Sequence, residues 1–134
     1  MTLTILRFTP IYAGLLVLLV LFLAYRVTTF RRSEAISLGD EKGSSAMKRA
    51  VRVHANAVEN LPLALLLLLM LELNQLTPWL MHVFGVSLLV ARGLHAWGFS
   101  QRSGVSFGRF YGTLLTWLCM AAMAIVNILI IATR

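Results

Sequence analysis

The chain is short of what a water-soluble domain of its size carries. Only 13% of its 134 residues are charged, about half the usual share, which excludes an ordinary soluble fold. Acids are scarcest, with five Asp and Glu against twelve Lys and Arg, so most cationic side chains have no carboxylate to pair with. A single cysteine, Cys119, excludes an intrachain disulfide. It lies in an apolar run, where a thiol behaves as an inert small hydrophobe. There are three prolines: Pro10 at the start of a run, Pro62 inside one, and Pro78 in a turn that opens one. The first apolar run lacks a small-residue cleavage site and is too long for the core of a signal peptide, so it is expected to be retained.

What is present is hydrophobic length. Apolar residues make up 59% of the chain and fall into four runs long enough to cross a bilayer, expected over residues 5–27, 47–74, 78–98 and 109–132. The expectation is an all-α integral membrane protein with one domain, a four-helix bundle. The formal net charge of +7 follows membrane topology and does not indicate nucleic-acid binding. Arg26, Arg31, Arg32, Lys42, Lys48 and Arg49 collect between the first and second runs, and Arg102 and Arg109 between the third and fourth, while the turn 74–78 has no base. By the positive-inside rule both basic loops are cytoplasmic and both termini are not; Arg7 and Arg134 run against this. Gly39-Asp40 and Gly43-Ser44-Ser45 are turn chemistry, with Ser44 or Ser45 available to cap the second helix.

The stretch 47–73 carries the chemistry. Arg52, Asn56 and Glu59 recur at i, i+4 and i+7, which stacks them on one helix face over roughly 10 Å. A cation, an amide and an anion thus stand along the length of a small zwitterionic peptide, at the entrance to a solid apolar run. Charged groups entering a bilayer are expensive and mark functional sites. Pro62, one turn beyond Glu59, is expected to kink the helix and free the carbonyl of Val58. On the third helix Arg92, His95, Phe99 and Arg102 share a face. Given the loop topology, Arg31, Arg52, Asn56, Glu59, Arg92, His95 and Arg109 all gather at one leaflet. Ion pairs that merely hold the bundle together are the structural alternative. Against it, the arginines outnumber the single carboxylate, and arginine suits bidentate recognition of carboxylates and stabilisation of a thiolate. Asn127 is expected to hydrogen-bond a neighbouring helix, and Gly112, Thr113 and Thr116 to allow close helix packing.

The string from Arg52 through Asn56 and Glu59 to Pro62 resembles the second-helix signature of the MAPEG family, membrane-associated proteins in eicosanoid and glutathione metabolism. The likeness extends to the whole chain in length, helix number, basic first loop and Arg-rich start of the fourth helix, and is nearest to short bacterial members similar to microsomal glutathione transferases. It implies a homotrimer in a bacterial inner membrane, with glutathione as co-substrate bound between subunits at the cytoplasmic leaflet. It further implies that Arg52 pairs with a glutathione carboxylate, that Asn56 orients the peptide and that Glu59 receives the γ-glutamyl ammonium. Arg109 would hold the sulfur as thiolate, Arg31 or Arg32 would match an arginine pair ending the first helix, and Arg92 and His95 would line the site. The partner would be a hydrophobic small-molecule or lipid electrophile arriving through the membrane lipid; no metal is expected. The sequence departs from the family at Asn60 and Phe99, where several members have tyrosines, and Tyr111 is the candidate substitute. A non-catalytic membrane scaffold of the same fold is the competing expectation. A small transporter is a weaker one, because the first helix lacks the embedded carboxylate such exporters use.

Overall fold

The computed structural model describes residues 6–101 and 107–133, with side chains for all of these except 99–101. Four helices follow one another: α1 (Thr9–Ser33), α2 (Ser45–Leu73), α3 (Pro78–Gln101) and α4 (Phe107–Ala132), with no strand among the described residues. Each is long and apolar enough to cross a membrane. Helices are the natural outcome for such a chain, since in hydrocarbon every backbone N–H and C=O must be satisfied within the segment. The first helix begins at Thr9 and continues to Ser33, six residues beyond the apolar run expected to end at 27. Hydropathy marks only the part of a helix that lies in lipid, and the basic turn with Arg31 and Arg32 continues the same helix past it. Residue 5, Arg102, Arg134 and the side chain of Phe99 lie outside the described residues.

The core is a set of narrow stripes. α1 buries Tyr12, Leu16 and Leu23, and α2 buries Val53, Ala57, Leu61, Ala64, Leu68 and Leu71 at three- and four-residue steps. Leu18, Leu21, Phe22, Leu63, Leu66, Ile125 and Ile128 face outward, an apolar surface that suits lipid and would be untenable in water. α2 continues unbroken through Pro62. α3 and α4 approach most intimately at glycine: a Cβ on Gly112 would lie 2.7 Å from both the Ala91 carbonyl oxygen and the His95 nitrogen. Asn127 Nδ2 donates to the Leu67 carbonyl at 3.1 Å, tying α4 to α2 as its sequence context suggested.

The helix ends are held by acids. Phe8 offers α1 no side-chain cap. Instead Glu72, at the far end of α2 and only 6% exposed, accepts the N–H groups of Phe8 at 2.8 Å and Thr9 at 2.6 Å, and that of Arg7. A carboxylate is the strongest available acceptor for the orphan donors and positive dipole end of a helix. At the opposite end, Ser44 caps α2 by accepting from the Met47 N–H at 3.1 Å. Glu34 in turn accepts the Ser44 hydroxyl at 2.5 Å and its N–H at 2.7 Å. Those two bonds, the hydroxyl's first, hold the Glu34 carboxyl below the ordinary glutamate range.

Candidate functional site

Where the first turns of α2 meet α3 and α4, a cleft of about 320 Å³ opens, lined by Lys48, Arg49, Arg52 and Asn56 from α2, His95 from α3, and Arg109 and Thr113 from α4. The volume is at the lower end of small-molecule sites, roughly 300–1,000 Å³. Its geometry follows from helix periodicity. Residues 48, 52 and 56 stack at four-residue steps on α2, Arg109 and Thr113 do so on α4, and Gly112 lets α4 close against the turn that carries His95.

Arg92 lies behind this wall. It is 1% exposed and donates from Nη1 to Asn56 Oδ1 at 2.9 Å, with Nη2 3.4 Å from His95 Nδ1. A guanidinium has no acceptor, so in that contact Nδ1 accepts and the ring proton belongs on Nε2. Arg92 Nε has no hydrogen-bond partner among the described residues. An amide and an imidazole solvate the buried cation without cancelling its charge. Taking a charge out of water costs several kcal/mol, so a wall with Lys48, Arg49, Arg52 and Arg109 in front of Arg92, and no carboxylate among its described lining residues, can receive an anion.

A second hollow of about 320 Å³ adjoins it, mostly apolar, formed by Phe110, Leu114 and Trp117 together with the same Arg109 and Thr113. Trp117 is 59% exposed but anchored, because its Nε1 donates to Asn60 Oδ1 at 3.2 Å while Asn60 Nδ2 donates to the Asn56 carbonyl at 2.8 Å. Polar cleft and apolar groove are thus separated only by the side chains they share.

Of the residues singled out from sequence, Arg52, Asn56, His95 and Arg109 come together in one chain's cleft and Arg92 supports it. Glu59 is exposed and does not line it. It shares the face of Arg52 but lies about 10 Å further along the axis, level with the Asn60 that is bonded to Trp117. Arg31 donates to the Gly39 carbonyl at 2.9 Å, and with Arg32 borders a separate hollow at the end of α1. Tyr111 is exposed and packs on Phe107 and Phe110, with ring centroids 4.3 and 5.3 Å away, so in a single chain it does not replace the missing tyrosines. Lys48, Arg49 and Thr113 belong to the cleft but had been given only topological and packing roles. Their three- and four-residue spacings to Arg52 and Arg109 are the available signal.

A four-helix membrane bundle with this ladder on its second helix and an arginine opening its fourth defines the class. Residues 9–129 match the model of the MAPEG family, and the chain belongs to that family. It is 34% identical over 120 residues to the inner membrane protein YecN of Escherichia coli (strain K12), covering 90% of this chain and 89% of that one. The identically named protein of Escherichia coli O6:H1 (strain CFT073) matches to the same extent.

Proposed function

We propose that the protein binds glutathione in the basic cleft and acts on hydrophobic electrophiles as a glutathione transferase or peroxidase of an inner membrane. The observation that carries this reading is the shared wall: a hollow lined by cations opens beside an apolar one, and Arg109 belongs to both. Arg52 binds a carboxylate of the tripeptide, Asn56 orients its backbone with Arg92 holding the Asn56 amide, and His95 contributes a further polar group. Arg109 stabilises the thiolate, which lowers the thiol pKa toward neutrality and delivers the nucleophile to an electrophile entering from the lipid side. Holding the two reactants across one wall supplies much of the rate.

Glu59, Arg31 and Arg32 support an assembly of several copies. An exposed carboxylate on an apolar spanning helix is costly facing lipid, and a neighbouring subunit would cover it. In a homotrimer with the site between subunits, Glu59 would receive the γ-glutamyl ammonium and the end of a neighbouring α1 would supply Arg31 or Arg32. By the positive-inside rule the cleft would lie at the cytoplasmic leaflet and both termini on the other side, and the inner-membrane relatives support an inner membrane.

The test is conjugation of a model electrophile by the purified protein, set against Arg109→Ala and Glu59→Gln. The expected outcome is turnover in wild type, loss of turnover with residual glutathione binding in Arg109→Ala, and weakened binding in Glu59→Gln. Equal near-background rates in wild type and Arg109→Ala, with glutathione still bound, would leave a binding protein without catalysis.

A further inference from the structure

We infer, resting on the proposed function, that the Thr113 hydroxyl contacts the reacting sulfur and serves as a catalytic residue beside Arg109. The sulfur's place follows from the two hollows. The carboxylates of the peptide belong with Lys48, Arg49 and Arg52 on α2, and an apolar electrophile belongs in the groove of Phe110, Leu114 and Trp117. A bond between sulfur and electrophile can form only at the side chains common to both, Arg109 and Thr113. Thr113 is the one hydroxyl among the described residues lining either hollow. Tyr111 packs on its aromatic neighbours, and position 99 has a phenylalanine, with no hydroxyl to give.

The hydroxyl is free to serve. At rest Thr113 Oγ1 donates to the Arg109 carbonyl at 3.0 Å. That carbonyl is also the one to which the helical N–H of Thr113 bonds, so rotating the hydroxyl proton away leaves no orphaned acceptor. A hydroxyl has one proton and two lone pairs: aimed at its own helix it idles, and aimed at a thiolate it adds a charge-assisted bond. In nucleophilic attack the thiolate's electron pair forms the carbon–sulfur bond. The negative charge leaves with the displaced group or is quenched by a proton from water, and Thr113 keeps its own proton throughout. The other charged or titratable groups facing this point are Lys48, Arg49 and Arg52 from α2, His95 from α3 and Arg109 from α4, and all are unchanged in the variants below.

The experiment measures glutathione affinity and the pH midpoint of bound thiolate by its ultraviolet absorbance, in wild type, Thr113→Val and Thr113→Ser in lipid nanodiscs. Valine keeps the volume and removes the hydroxyl; serine restores it. We expect near-wild-type affinity in both variants. The midpoint should rise by about one pH unit in Thr113→Val, a tenfold smaller thiolate-to-thiol ratio, with a fall in kcat that follows the thiolate fraction, and serine should restore both. An unmoved midpoint in Thr113→Val, or a loss of affinity without a midpoint shift, overturns the inference and leaves the glutathione reading standing. Failure of wild type to bind glutathione overturns both.

Discussion

Arg92 shows how one residue organises the cleft without lining it. Its guanidinium is enclosed and bonded to the side-chain oxygen of Asn56, so the Asn56 amide is held with its oxygen already engaged and its NH₂ left to recognise a ligand. Arg92→Met removes the donor and strands that oxygen, at a cost of about 1–3 kcal/mol. The expected result is a lower thermal midpoint in detergent and roughly tenfold weaker glutathione binding, equivalent to ~1.4 kcal/mol, measured by calorimetry. Wild-type affinity in a folded Arg92→Met variant would remove Arg92 from the site. The residue types of the cleft were legible because helical spacing predicts which side chains share a face. Depth was not. Glu59 shares the direction of Arg52 yet misses the cleft, and Arg92 and His95, one turn apart, divide into a support and a lining group. Angular position is written in the sequence, whereas distance along and behind the face depends on where neighbouring helices close.

At the scale of elements, one carboxylate does what local capping does elsewhere, and a second braces a serine cap. α1 was legible as a run of apolar residues, but its anchorage was not, because the acceptor for its first N–H groups stands at the other end of α2. Glu72 is a buried cap. Glu72→Gln keeps an acceptor oxygen and loses the charge, and should cost about 1–3 kcal/mol, read as a lower unfolding midpoint and faster amide exchange at Phe8 and Thr9. Unchanged exchange there would contradict the role. At the opposite end, Glu34 joins α1 to the cap of α2 through Ser44. Its folded pKa is depressed, so the stability it adds is present above the ordinary glutamate pKa and is lost as pH falls through the lowered folded value. Protection of the Ser44 amide should persist through the normal glutamate range and collapse only in stronger acid. In Glu34→Gln that acid-dependent step should be missing.

At the scale of the molecule, four apolar runs and two basic loops were enough to specify a four-helix bundle, because the membrane leaves helices as the only open solution for a single apolar chain of this size. The meeting of α2, α3 and α4 was less legible. It depends on Gly112, marked in the sequence for close packing, whose missing side chain brings α4 against Ala91 and His95, and on the Asn60–Trp117 bond that limits the groove, which no sequence pattern marks. On the proposed function, this junction holds an anionic thiol peptide. The most direct measurement is calorimetric titration of glutathione into the purified protein in nanodiscs, with Arg52→Ala beside it. Saturable binding in wild type, weakened at least tenfold in Arg52→Ala, is the predicted result. No saturable binding in wild type, or equal affinity in the two proteins, would contradict it.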